Sequence, residues 1–439
     1  MASFGERAVE QALSLRRNDL SRRSLGEGGS HTSKKPPFHS AKNTPLQHFT
    51  SVQNKNFIKV KVPLRTIALD QEFADSDIHC TPLNKARRLD RMKFLATLLV
   101  GFTTLTSLAA PGNFLVCVSN ERSDDVTIID GATQKVLTTV PVGKRPRGIH
   151  ASADGKTLYV ALSGSPIAGP RHVGASAPAL DDDAKAKPDR SADGIGIVDL
   201  ATKKFLRKIP AGTDPEQFAV SPDGKHLYIA NEDAGVISVL ATSDGKVEHE
   251  IPVAEEPEGV AFAPDGKTVY ATCETAGDIF VIDTTQNKSI AHFVVGGRPR
   301  NVVFSPNGSR AYIPSESTGI VHIIDTMNQK PVQEIQLPTN SRPMCLVMSK
   351  DGKQLYLSTG WGASICVVDV SSLKIAKTIK VGPRPWGFAM SPDGNQLFVA
   401  NGPSNDISVV DLASGSQTGL IKVGQSPWGV EIVPLPNSP

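Results

Sequence analysis

The chain has 439 residues, 39% of them apolar and 5% aromatic, with 37 Gly, 32 Pro and a formal net charge of +3. This is a turn-rich composition with ample material for a core. The charge is uneven: residues 1–91 hold 16 Lys/Arg against 9 Asp/Glu, the remainder 31 against 35, so the body lacks the clustered basic face that nucleic-acid binding requires.

Residues 1–91 show no sustained helical or strand period. They carry basic pairs (Arg16-Arg17, Arg22-Arg23, Lys34-Lys35, Arg87-Arg88) and few apolar runs. Such a segment buries too little surface to offset its ordering entropy and reads as disordered. Met92-Lys93, the apolar run Phe94–Leu108 and the small residues Ser107, Ala109 and Ala110 then form a secretory signal peptide over 92–109. An uncleaved anchor is the alternative, and the only expected membrane contact. A signal peptide belongs at a start, so Met92 reads as the true initiator and 1–91 as an upstream extension. The mature protein is expected in the periplasm or secreted.

From 113 to 436 one pattern repeats. Its turn tetrapeptide recurs as Ser152–Gly155, Ser221–Gly224, Ala263–Gly266, Ser305–Gly308, Ser349–Gly352 and Ser391–Gly394, at spacings of 69, 42, 42, 44 and 42. The long spacing is one period plus a 27-residue insertion within 164–191. In these turns Asp or Asn bonds the backbone and Gly accepts a positive φ. Behind each runs a strand such as Leu227–Ala230 or Leu397–Ala400, then a third such as Ile279–Asp283, then a fourth ending near Val-Gly. Four short strands per unit, with frequent turns, describe an antiparallel sheet repeated radially.

The ends fix the blade count. The first strand, Leu115–Ser119, is of the second type with no partner before it. The last, Gly429–Pro434, is of the first type with nothing after it. Together they complete one blade and leave no free edge. The fold expected is a seven-bladed, all-β propeller in a single domain, with the insertion as a loop or flap on one face, and a monomer.

Cys117 and Cys273 fall on non-adjacent blades, and Cys345 and Cys366 on strands separated by another, so no disulfide is expected. Without Cys-x-x-Cys-His no covalent haem is expected, and no cofactor is assigned.

Alternating strands place the fourth-to-first loops on one face, as a ring of x-Pro-x segments: Arg145–Arg147, Asp214–Glu216, Glu256–Glu258, Arg298–Arg300, Arg342–Met344, Arg384–Trp386 and Ser426–Trp428. Proline at every copy is loop geometry; the flanking residues carry the information. Arg145, Arg147, Arg298, Arg300, Arg342 and Arg384, with Trp386 and Trp428, form a candidate mouth for an anionic small molecule or an acidic loop of a partner. Trp361 maps to the same face. The alternative is that the arginines pair with the neighbouring acids around the rim. Asp214, Glu216, Glu256 and Glu258 are weaker candidates for a hard cation such as Ca²⁺. Asp130, Asp199, Asp283, Asp325, Asp369 and Asp411 recur at one register and read as turn caps. No catalytic Ser/His/Asp set or phosphate loop appears, and His150, His226, His249, His292 and His322 share no register.

The strands Leu227-Tyr-Ile-Ala-Asn231 and Leu397-Phe-Val-Ala-Asn401 resemble YVTN-type β-propeller repeats. The order Arg145-Pro-Arg-Gly148, Asp214-Pro-Glu216, Glu256-Pro-Glu-Gly259, Arg298-Pro-Arg300, Ser404–Ser408 and Pro427-Trp-Gly429 is similar to the propellers associated with PQQ-dependent catabolism. That resemblance implies an exported propeller accompanying a periplasmic quinoprotein dehydrogenase or a transporter component. Met344, Cys345 and the long insertion depart from it. Binding at the ring mouth, rather than catalysis, is the leading expectation. The alternatives are a lactonase-like hydrolase, for which no acid/base pair stands out, and a surface-layer interaction protein.

Overall fold

The computed structural model describes residues 113–167 and 186–435. Residues 1–91, the expected leader 92–109, and the middle of the insertion, with His172 and Asp181–Asp183, lie outside them. Among the described residues no helix is long and apolar enough to cross a membrane.

Seven four-stranded antiparallel sheets stand around one axis. In six of them the strands follow chain order from the axis outward. Their inner strands are Ile149–Ala151, Pro215–Val220, Pro257–Phe262, Val303–Phe304, Leu346–Met348 and Pro385–Met390, which open the second to seventh blades. The first blade is built from both ends of the chain: Pro427–Pro434 is its inner strand and pairs with Phe114–Asn120, Cys117 opposite Glu431. Asp125–Asp130 and Lys135–Pro141 complete it. The ring is therefore closed by the terminal strand.

The second and third strands of each blade read as nearly unbroken apolar runs because both their faces are covered by neighbouring blades. Seven apolar clusters result, one at each blade interface. Each fully buried Val or Ile, such as Val116, Ile128 or Ile237, contributes about 1.5–3 kcal/mol. At the closing interface Phe114 meets Phe398 edge-on at 5.8 Å. The fourth strands are largely exposed and carry most of the exposed large apolar side chains, Leu206, Ile290 and Val294 among them.

The turns take the geometry expected of them. Ser152 Oγ donates to Asp154 Oδ1 at 2.6 Å and accepts the Thr157 N–H at 3.0 Å, while Gly155 has φ +67°. The periodic aspartates cap turns: Asp130 Oδ1 accepts from the Thr133 N–H at 2.7 Å, and Asp199, Asp283, Asp325, Asp369 and Asp411 make the equivalent contacts. The four cysteines among the described residues are free.

Candidate functional site

The x-Pro-x loops share a backbone device that their sequence does not announce. The residue before proline takes a positive φ in six of the seven: Arg145 (48°), Asp214 (53°), Glu256 (53°), Arg298 (60°), Arg384 (47°) and Ser426 (56°). Non-glycine residues adopt this conformation at a cost of about 1–3 kcal/mol, and only where the surroundings dictate it. The loop before Arg342 is longer, and there Asn340 turns left-handed instead (φ 69°).

Hydroxyls on the second strands supply some of that constraint. Ser119 Oγ accepts the Gly429 N–H at 2.9 Å and donates to the Arg147 carbonyl of the next blade at 2.6 Å. Ser358 bridges the Cys345 N–H and the Trp386 carbonyl at 3.1 and 2.7 Å, and Thr272 bridges the Gly259 N–H and the Arg300 carbonyl at 2.8 and 3.4 Å. In four of the seven loops glycine follows the third residue, where the backbones approach closely: a Cβ on Gly259 would collide with the Arg300 carbonyl oxygen.

The third residues of the seven loops thus form a layer at the head of the channel: Arg147, Glu216, Glu258, Arg300, Met344, Trp386 and Trp428. Four consecutive members are charged, in the order Arg-Glu-Glu-Arg. Three are apolar or aromatic and close the ring.

The charged half is an ion lattice of two clusters. Arg147, only 1% exposed, meets Asp214 at 2.5 Å, Glu216 at 2.9 Å and Glu232 at 3.2 Å. Arg145 adds contacts to Glu121 at 2.9 Å and Asp214 at 3.7 Å. In the other cluster Arg300 meets Glu258, Glu274 and Glu316, the last at 2.6 Å, and Arg298 also reaches Glu274 and Glu316. Burial would pull both central guanidiniums down, but the surrounding carboxylates outweigh it and hold Arg147 and Arg300 above their ordinary values.

Carboxyls outnumber guanidiniums in both clusters, and in each cluster one acid is raised above its ordinary value. Burial, then the charge of Glu216, push Glu232 up to about 9 against the pull of Arg147. Burial likewise raises Glu258 well above the carboxylate range, since Arg300 is shared among three acids. Two other acids move the opposite way: the arginines overcome burial and hold Asp214 down to about 2, and Glu316 below its usual value.

The aromatic half is differently equipped. Trp386 and Trp428 lie 5.8 Å apart, tilted by 38°. The Arg384 guanidinium sits over Trp386 at 4.5 Å and over Trp361 at 5.3 Å. Burial lowers its pKa, against the pull of Glu121 and Glu316. Neither Arg384 nor Arg342 forms a salt bridge among the described residues. Above the layer is a cavity of about 380 Å³, lined by Glu216, Glu232, Arg342, Trp361, Arg384 and Trp386 among others. Below it the axial channel opens to about 760 Å³.

The sequence candidates therefore divide. Arg145, Arg147, Arg298 and Arg300 are engaged with acids around the rim. All eight candidates line the mouth cavity, and of the arginines only Arg342 and Arg384 do so without a salt bridge among the described residues. Asp214, Glu216 and Glu258 face arginines, and Glu256 accepts from the Thr275 hydroxyl. Among the described residues no group of three His, Cys, Asp or Glu side chains is arranged to hold a metal ion. The insertion ends at the mouth: Ile167 lines the cavity, Lys144 pairs with Asp189 at 2.7 Å, and Arg190 reaches Asp233.

Two sets of residues escaped the sequence reading. Glu121 and Glu316 occupy the position just after the second strand, as Glu232 and Glu274 do, a register that a tally of repeat positions would have exposed. His150 and Glu431 face each other at 3.5 Å in the channel wall. They lie near opposite ends of the described chain, and no local pattern joins them.

Comparison with known proteins agrees with this architecture. Residues 259–430, under half of the chain, match the family model described as Lactonase, 7-bladed beta-propeller. The periplasmic gluconolactonase PpgL of Pseudomonas aeruginosa superposes with a TM-score of 0.57 at 22% identity, over 74% of this chain and 100% of that one. The chain is a β-propeller. Kuenenia stuttgartiensis hydrazine synthase superposes on the propeller almost as well, with a TM-score of 0.56 at 23% identity over 71% of this chain and 99% of that one. At these identities the likeness is one of fold. Antigen Lp49 of Leptospira interrogans is 30% identical over 172 residues, a match spanning 32% of this chain and 36% of that protein.

Proposed function

We propose that the propeller is a hydrolase of the lactonase kind, opening a small lactone that carries an anionic group. One observation carries the reading: Glu232, held protonated up to about 9, and the Arg147-bound carboxylate of Glu216 border the same cavity as Arg384. General acid–base work needs two carboxyls in different protonation states at working pH. In this scheme water attacks the lactone carbonyl and gives its proton to Glu216. Glu232 delivers its proton to the departing ring oxygen, and the product is the hydroxy acid. Arg384, backed by the indoles of Trp361 and Trp386, takes the anionic group, and Arg342 extends that wall. A cavity of about 380 Å³ suits a sugar-sized ring. The matches to lactonase-type propellers support the same reading.

Binding without turnover is favoured by the Arg384–Trp cluster alone, since that cluster holds an anion whether or not chemistry follows. Export and an association with a quinoprotein dehydrogenase or transporter are proposals that rest on residues 92–109 and on the order of the x-Pro-x loops. Acid release by the purified propeller from glucono-δ-lactone, and from lactones bearing a carboxylate or phosphate, tests the main reading. Turnover faster for the anionic lactones is expected. Saturable binding with no acid release above background would leave the propeller a binding protein.

A further inference from the structure

Below the charged and aromatic layer the channel is a different environment. Only Arg300, Trp386 and Trp428 of the mouth face it as well. Its wall is the inner strands of the blades, which contribute Val260, Val303, Met348, Phe388, Met390 and Ile432. Few charged groups reach it, and most are satisfied. Arg300 and Glu258 are paired within the lattice, and the Lys350 amino group donates to the Pro392 carbonyl.

His150 and Glu431 are the exception. Glu431 Oε1 accepts the Ala151 N–H at 3.1 Å, and Oε2 stands 3.5 Å from His150 Nδ1. The His150 ring is held edge-on against Phe218 at 5.1 Å. With Glu431 on its Nδ1 side, a neutral ring that carries its proton on Nδ1 keeps the Nε2 lone pair. The side chain is 39% exposed and lines the channel. Such an acceptor stands in a mainly apolar chamber of about 760 Å³, within the range of small-molecule sites.

We infer that the lower channel is a second ligand site, distinct from the mouth, for an apolar molecule bearing a hydroxyl group that donates to His150 Nε2. Its apolar body packs on the inner-strand wall. An anionic head group is disfavoured there, because it would meet a lone pair on His150 and the carboxylate of Glu431 behind it. The site does not depend on the lactonase reading and makes no use of Glu232 or Arg384.

Titration of the full-length protein with hexan-1-ol, octan-1-ol and octanoate, followed by indole fluorescence and calorimetry, tests this. Saturable alcohol binding is expected, roughly fourfold tighter per added methylene, with octanoate at least tenfold weaker than octanol. His150→Phe should keep the chain-length dependence and lose the preference for alcohol over carboxylate. Glu431→Gln keeps the bond to Ala151 through its amide oxygen and turns an NH₂ toward Nδ1, so Nε2 becomes the donor and the preference should shift toward octanoate. Arg384→Gln should leave alcohol binding unchanged. Absence of saturable octanol binding, an unchanged alcohol-to-carboxylate ratio in both channel variants, or loss of alcohol binding in Arg384→Gln would overturn the inference.

Discussion

Arg147 Nη2 stands 2.5 Å from Asp214 Oδ1, joining the loop that opens the second blade to the loop that opens the third. Asp214 also accepts from the Ser163 hydroxyl at 2.5 Å, so one carboxylate ties three segments together at the rim. The contact is almost wholly buried, and the same guanidinium serves Glu216 and Glu232.

Arg147→Ala should therefore cost stability well beyond an average substitution. It strands buried carboxylates without a counter-charge, a change that typically costs about 3–5 kcal/mol. Urea unfolding of Arg147→Ala beside Arg384→Ala measures it. The second variant removes a guanidinium that bonds no carboxylate among the described residues, and should lose much less.

The lattice also shapes the dependence of stability on pH. Asp214 is depressed to about 2 and Glu316 is lowered, so their stabilisation is complete above the ordinary carboxylate pKa of about 4 and fades as pH falls toward 2. Glu232 is raised to about 9, so its contribution is complete below about 4 and is lost progressively as pH rises to 9. Urea midpoints should fall on both sides of a mildly acidic maximum. Glu232→Gln should flatten the alkaline limb and leave the acid limb in place.

Turnover, measured on an anionic lactone, should drop by about 10²-fold or more in kcat in Glu232→Gln, the usual scale for loss of a general acid. Arg384→Gln should act mainly on KM for the anionic lactone and little on a neutral one. Equal loss on both lactones would assign Arg384 to the chemical step and not to the substrate's charge.

Deletion of the chain from Pro427 onward removes the inner strand of the first blade and uncovers the Phe114–Asn120 strand, buried at every residue. The truncated protein should fail to give a cooperative thermal transition and should bind hydrophobic dyes. A cooperative transition of the truncated chain would show that a ring open at this blade still folds.

The thiols of Cys117, Cys273 and Cys345 should be inert in the native protein. Burial, then the charge of Glu431, raise Cys117, and burial pushes Cys273 up to about 12 and Cys345 up to about 11. A disulfide exchange reagent at pH 8 should react with these three only after unfolding, because the thiolate is the reactive form.

Much of the scaffold was legible because it is local and periodic. Ser-x-Asp-Gly turns, apolar second and third strands and capping aspartates depend on neighbours within a few residues, and the orphan strands at 115–119 and 429–434 required closure. The rim was legible as a set of residues, not as a network. Arg147 and Arg300 looked like ligands for an anion because their charge was visible while the distance to Glu232, Glu274 and Glu316 was not. The left-handed residue before proline in six of the seven loops, which positions the third residue, was invisible for the same reason.

Repetition of short-range chemistry, then, is what the amino-acid order alone determines here: blade number, strand order and the identity of the side chains at the rim. Which arginines are neutralised, which acids keep a proton, and that His150 meets Glu431 are decided only when the ring closes. Electrostatics and cavity walls depend on distances across the axis, and those are set by seven blades packing together rather than by any one repeat.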